Sequence, residues 1–249
     1  MDSGFYAACA GLRAQSQALE VAAHNLANLN TTGFRGQQAT FQSLMATSRP
    51  TVPTLLNLAT NNFGVLQGTR LDMTAGNLET TGNPLDVGIE GDGFFAVQTA
   101  AGIRYTRNGS FQVSNSGTLV TATGDPVLSD FTQGAKSAIN VPAGPISIAS
   151  DGTISVNGAV AGTIQLVEFS PGTALTSEGG SMIAAPEGSA TPVLAPAIKQ
   201  GALESSNVNS ITSVVTLIGV QRQAEMLQRA MSLFDSELNR TATSELAKV

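Results

Sequence analysis

The 249-residue sequence predicts an α+β fold: a helix at each end of the chain, together forming a coiled-coil-like helical domain, and an all-β domain of barrel or sandwich type between them. Three observations carry this. Apolar residues recur at heptad spacing near the N terminus. They alternate in steps of three and four near the C terminus. Between them lies a stretch rich in Gly, Thr, Val and Ile, broken repeatedly by turn signals. The boundaries fall at 1–36 (N-terminal helical segment), 37–69 (extended connection), 70–200 (β-rich domain) and 201–249 (C-terminal helical segment).

At the N terminus, Phe5, Leu12, Leu19 and Leu26 recur every seven residues. Ala8, Ala22 and Leu29 follow members of that series by three. This is a heptad seam with small residues at many of its second positions. Ser3 suits a cap, and 28–33 carries stop signals, with Gly33 free to take a left-handed conformation. The pattern predicts a helix near residues 4–28, about 40 Å long.

At the C terminus, Leu217, Val220, Ala224, Leu227, Met231, Phe234 and Leu238 keep the three–four alternation without a break. Ile211, Val214, Val215 and Ile218 extend the apolar surface. Gln221, Arg222, Glu225, Arg229, Asp235 and Glu237 suit a solvated flank, and Asn207 or Ser210 suits the cap. A lone amphipathic helix is marginal in water. The two seams are therefore expected to meet each other, neighbouring subunits, or both.

In the middle, 94–97, 103–106, 110–113, 118–121, 146–148 and 162–169 read as short strands. Asn108-Gly109, Asn115-Ser116-Gly117, Asp151-Gly152 and Asn157-Gly158 read as turns. Residues 179–196, rich in Gly, Pro, Ala and Ser, read as one long loop. Residues 37–45 are compatible with a short helix, and the rest of 37–69 with extended chain.

Composition narrows the function classes. The net charge is −6 with only 12 Lys and Arg. Nucleic acid, which demands clustered cations, is not an expected partner, nor is an anionic membrane surface. Cys9 is alone, so no internal disulfide is possible. His24 is the only histidine, and no cysteine cluster accompanies it, so no metal is expected. Asp86, Glu90 and Asp92 form an acidic group, read as a charged turn in preference to a catalytic pair or a calcium loop. Gly88, Gly91 and Gly93 lack phosphate-loop spacing. Neither a signal peptide nor a membrane-spanning apolar run is apparent. No catalytic, metal or cofactor-binding residue is assigned, no small-molecule substrate is expected, and the chain reads as a non-enzyme. A secreted β-rich adhesin is a rival class, but the sequence has no Trp and only Tyr6 and Tyr105, poor material for stacking on sugars.

Three stretches together resemble the axial proteins of the bacterial flagellum, the rod and hook family. The first is Asn25-Leu26-Ala27-Asn28-Leu29-Asn30-Thr31-Thr32-Gly33-Phe34-Arg35, similar to the family's N-terminal signature. The second comprises Thr81-Gly82-Asn83-Pro84-Leu85-Asp86-Val87, then Gly91-Asp92-Gly93-Phe94-Phe95, then Tyr105-Thr106-Arg107-Asn108-Gly109. The third is Gln200-Gly201-Ala202-Leu203-Glu204-Ser205-Ser206-Asn207-Val208. Within the family, 96–99, 104–110 and 148–155 look closer to the proximal rod member than to the distal one.

The resemblance implies a structural subunit of the basal-body rod in the periplasm, part of the hollow drive shaft that carries motor torque to the hook. It implies export by the flagellar type III apparatus without a cleavable signal peptide. It implies partners that are copies of the chain and other rod and hook subunits, with no direct membrane insertion. It also implies terminal segments that order into helices on assembly. On this reading the seam residues named above, from Phe5 to Leu26 and from Leu217 to Leu238, are the expected subunit interface.

Overall fold

A computed structural model describes residues 2–43, 64–129 and 137–246. Two compact units emerge. One comprises Met1–Ala27, Gln37–Arg70 and Asn209–Val249; the other comprises Asn28–Gly36 and Leu71–Val208.

The first unit is mainly helical. Helix α1 spans Asp2–Ala27 and α2 spans Ser210–Leu246. They lie against one another. Ala14, Ala18 and Ala22 form the buried stripe of α1, together with Gln15. Small side chains at that spacing let another backbone approach closely. Gln15 Nε2 uses the approach to donate to the Val220 carbonyl at 3.1 Å. The α2 cap is Asn209, whose Oδ1 accepts from the Ile211 and Thr212 N–H groups at 3.0 and 3.1 Å. Neither Asn207 nor Ser210 fills that role: the helix begins at Ser210 itself, one residue after the cap.

Among the described residues this unit also holds a two-stranded sheet, β1 (Gln37–Ser43) with β2 (Gly64–Leu71). The short helix allowed for 37–45 is thus corrected to a strand. Asn25 fixes its first residue: the Asn25 amide donates to the Gln37 carbonyl at 2.7 Å and accepts from the Gln37 N–H at 2.8 Å. Both backbone groups of Gln37 are thereby taken from any helical ladder. Residues 44–63 lie outside the described residues.

The second unit is β-rich. Its strands are β3 (Leu78–Thr80), β4 (Val87–Ile89), β5 (Phe94–Thr99), β6 (Gly102–Thr106), β7 (Phe111–Val113) and β8 (Leu119–Thr121). They continue as β9 (Ile146–Ile148), β10 (Thr153–Val156), β11 (Ala159–Thr163), β12 (Leu166–Phe169), β13 (Thr176–Ser177) and β14 (Met182–Ala184). The last are β15 (Ala190–Pro192), β16 (Ile198–Gln200) and β17 (Ala202–Glu204). The largest sheet is antiparallel in the order β13-β14-β6-β5-β12-β15. A three-stranded sheet, β11-β10-β9, accompanies it, and the other strands pair in twos.

Strand β5 organises the interior. Phe95 and Val97 join one buried cluster with Phe111, Leu119, Val127, Ile154 and Leu166. Phe94 and Ala96 point the other way, into a cluster with Leu71, Tyr105, Val167 and Ile183. A continuous apolar run of this length marks a strand covered on both faces.

Two loop-level expectations are corrected. The stretch 162–169 is not one strand: Ile164 and Gln165 lie outside the ladders and separate β11 from β12, with Ile164 completely buried. The stretch 179–196 is not one loop. It contains β14 and β15, which pair with β6 and β12. These three-residue strands take their order from partners distant in sequence, so their own composition does not betray them.

The unit is closed by its last strands. β16 pairs with β4 and β17 with β3, bringing Ile198 opposite Ile89 and Glu204 opposite Leu78.

Candidate functional site

The three stretches singled out in the sequence meet at one buried node in the β-rich unit, built around Glu204. In β17, Ala202 and Glu204 share the inward face while Leu203 is half-buried. The Glu204 carboxylate receives the Arg35 guanidinium at 2.7 Å and that of Arg107 at 3.1 Å, with all three side chains at most 3% exposed. It also accepts the Gly76 N–H at 2.7 Å. Its backbone carbonyl takes the Gly33 N–H at 2.7 Å.

The two arginines are held from behind. Arg35 donates to the Thr74 carbonyl at 2.8 Å. Arg107 donates to the Gly91 carbonyl at 2.7 Å and lies over the Phe94 ring, 5.2 Å from its centroid. Burial pushes the Arg107 guanidinium down from its ordinary pKa; Glu204 opposes that shift and Arg35 adds to it. Arg35 Nε and Nη2 and Arg107 Nε find no acceptor among the described residues. Two buried cations share one anion here. A buried ion pair contributes little net stability, but the loss of one partner is costly because it leaves an uncompensated buried charge.

Gly33 explains the closeness of the approach. Its φ is +66°, and a Cβ there would fall 2.3 Å from the Asn108 nitrogen. Only glycine allows the chain after α1 to lie on the Arg107–Asn108 backbone. Thr32 adds a bond from Oγ1 to Asn108 Oδ1 at 2.9 Å, and Phe34 is 1% exposed. Within the preceding turn, the Thr31 N–H donates to the Asn28 carbonyl and the Thr31 hydroxyl to the Asn28 side chain.

The second motif supplies a neighbouring cluster. Asp86 is buried and accepts from Thr81 Oγ1 at 2.7 Å and Asn83 Nδ2 at 3.0 Å. Its carbonyl receives the Gly201 N–H at 2.7 Å. Asp86 is therefore a structural acceptor, while Glu90 and Asp92 lie exposed in the following bend. Gly91 and Gly93 both hold positive φ there. Gly109 permits the Val87 N–H to reach the Gly109 carbonyl at 3.0 Å. Phe94, Phe95, Tyr105 and Thr106 are buried in and beside the main sheet, and Leu85 packs against the first core cluster.

Sequence reasoning missed the central roles of Arg35 and Glu204, although both lie within the quoted motifs. The signal was available: a glutamate two positions after an alanine, in a strand whose inward face is otherwise apolar. The helical seam residues lie elsewhere. Leu12, Leu19, Leu26, Leu217, Val220, Ala224, Leu227 and Met231 are half-buried; Ala27 ends α1 and is exposed. Phe5, Phe234 and Leu238 lie on the helices, but their side chains fall outside the described residues. Among the described residues, no group of three His, Cys, Asp or Glu is placed to hold a metal, and no helix is long and apolar enough to cross a membrane. Nothing in the node resembles a reactive constellation: its carboxylate is fully engaged by donors.

Comparison with known proteins gives the node its context. A family model described as flagella basal body rod protein matches residues 5–35. One described as the D1 domain of the flagellar hook protein FlgE/F/G matches 88–156. A third, the C-terminal region of the flagellar basal body rod FlgEFG proteins, matches 199–243. The flagellar basal-body rod protein FlgF of Caulobacter vibrioides is 33% identical over 252 residues, covering 100% of both chains. FlgF of Escherichia coli is 36% identical, covering 96% of this chain and 97% of its own. FlgG of Buchnera aphidicola is 34% identical, covering 92% of this chain and 95% of its own. With such likeness along its whole length, and with Gly33, Arg107 and Glu204 joining all three matched regions, the chain belongs to the flagellar basal-body rod proteins, a structural, non-enzymatic family of the flagellar basal body.

Proposed function

We propose that this rod subunit assembles with copies of itself and with other axial subunits through its terminal helices, in coiled-coil-like packing, into the hollow shaft that carries torque to the hook. The observation that supports this most is a second apolar face on α2. Leu217, Val220, Ala224, Leu227 and Met231 are half-buried. Ile211, Val215 and Ile218 are 74%, 65% and 44% exposed. At 3.6 residues per turn these two sets lie on roughly opposite sides of the helix. Met226 and Leu233, 62% and 66% exposed, continue the second set. A helix apolar on two sides has more surface to cover than one neighbour can provide.

The finer reading has further parts. The subunit occupies the proximal rod, on the likeness of 96–99, 104–110 and 148–155 to that member. It leaves the cytoplasm through the flagellar export apparatus. The seam residues, Phe5 and Leu12 through Leu26 on α1 and Leu217 through Leu238 on α2, are interface residues.

The test is replacement of the native copy in a flagellated host. Ile218→Asp, Leu19→Asp and Leu227→Asp are each expected to abolish swimming and rod assembly. The β-rich unit of the purified variants should unfold at an unchanged urea concentration. Normal swimming by all three variants would contradict assembly through these helices.

A further inference from the structure

The chain passes between the two units at 27/28, 36/37, 70/71 and 208/209. Any force carried covalently from one unit to the other runs through these four passages. Inside the β-rich unit, the backbone beside three of them is tied together. The Gly36 carbonyl accepts the Asp72 N–H at 2.7 Å, and the Asn207 N–H reaches the Phe34 carbonyl at 3.4 Å. The Asn207 side chain accepts the Gly36 N–H at 2.8 Å. Its amide nitrogen donates to the carbonyls of Asp72 and Thr74, at 3.0 and 2.9 Å.

One side chain therefore spends its acceptor on one passage and its donors on a second, while its own backbone is the third. A planar amide suits this: it offers an acceptor and two donors at fixed geometry. Aspartate lacks the donors and leucine lacks both. In the helical unit, the residue just across the 36/37 passage is gripped in the same way, by Asn25 on both backbone groups of Gln37.

We propose that Asn207 is a tension-sharing pin, which makes three chain passages bear force together instead of peeling away one at a time. Bonds loaded together resist more than the same bonds loaded in sequence. This rests on the reading of the chain as a torque-carrying rod subunit. The pin lies wholly within the β-rich unit and is distinct from the helical seams.

The first test is amide exchange on the purified full-length chain. Asn207→Ala and Asn207→Asp are expected to speed exchange at Asp72 by about tenfold or more. The Asp72 N–H donates to the Gly36 carbonyl and not to Asn207, so its exchange reads the tie between two passages and not the bonds that the substitution itself removes. Ile154 and Val167, deep in the two cores, should be unaffected. Unchanged exchange at Asp72 overturns the proposal, and so does an equal rise at Ile154 and Val167, which would mark general destabilisation.

The second test uses a flagellated host carrying one copy of the gene. Failure of the wild-type copy to restore swimming to a deletion strain would sink the rod reading itself. With that established, Asn207→Asp is compared with a core truncation, such as Val156→Ala, selected because its measured loss in urea midpoint matches that of Asn207→Asp. As the viscosity of the medium rises, the Asn207→Asp strain should lose rotation speed at least twice as steeply. Equal loss of speed in the two strains would overturn the pin while leaving the rod reading intact.

Discussion

Glu204 meets Arg35 at 2.7 Å with both side chains 1% exposed, although one residue follows the first helix and the other precedes the last. The second cation, Arg107, reaches the same carboxylate from the middle of the chain. Removing the shared anion leaves two buried guanidinium groups facing each other. Glu204→Ala should lower the stability of the β-rich unit by about 3–5 kcal/mol. Urea denaturation followed by circular dichroism measures this. A loss below about 1 kcal/mol, typical of an exposed ion pair, would contradict the node as described.

Gly33 and Gly82 both hold a left-handed backbone, at φ +66° and +75°, but their surroundings differ. A Cβ on Gly33 strikes the Arg107–Asn108 backbone; one on Gly82 meets nothing within 4 Å. Gly82→Ala should therefore show only the conformational penalty, about 1 kcal/mol. Gly33→Ala should exceed it by at least about 1 kcal/mol. Equal shifts in urea midpoint would show that the segment after α1 is not tightly seated.

Asn209 is the sole side-chain cap seen at the start of α2 among the described residues, accepting two N–H groups. Asn209→Ala is expected to weaken the helix by about 1 kcal/mol. The check is faster amide exchange at Ile211 and Thr212. Ser210→Ala, at the position beside it, should leave both amides as they are.

Burial raises the Tyr105 hydroxyl above its ordinary pKa of 10.0. The unfolded chain then loses this proton first as the pH climbs. Stability tied to the neutral phenol is whole below pH 10 and declines above it. Tyr105→Phe keeps the edge contact to Phe169, centroids 4.9 Å apart, and removes the titration. Its urea midpoint should fall less steeply above pH 10 than that of the natural chain. Identical slopes would argue that the hydroxyl is solvated.

The parts of the fold legible in the sequence are those with a period. Leu12, Leu19 and Leu26 announce α1, and the three–four alternation from Leu217 announces α2, because a helix repeats its environment every turn. The Phe94–Val97 run announces β5 for a similar reason. The strands Met182–Ala184 and Ala190–Pro192 were hidden, since three residues hold no period and their order comes from distant partners. The node was half legible. The glycine, arginine and glutamate that build it lie inside recognisable motifs, but nothing local says that Arg35 and Arg107 converge on Glu204. Charge pairing across a whole domain leaves no trace in spacing. The Asn209 cap was missed by one or two residues because 205–210 offers Ser and Asn at nearly every position, and capping chemistry alone does not choose among them.

Strand β5 has no free side: Phe94 and Ala96 serve one cluster, Phe95 and Val97 the other. Anything that changes the size of one of these four side chains is felt in two places at once, and neither place can relax without disturbing its counterpart. Variation and added sequence belong instead at the periphery, where the Asn157-Gly158 turn leads into a border strand whose Val160 is 71% exposed. A fluorescent or epitope tag inserted at that turn would report on the assembled rod from a place the interior does not register.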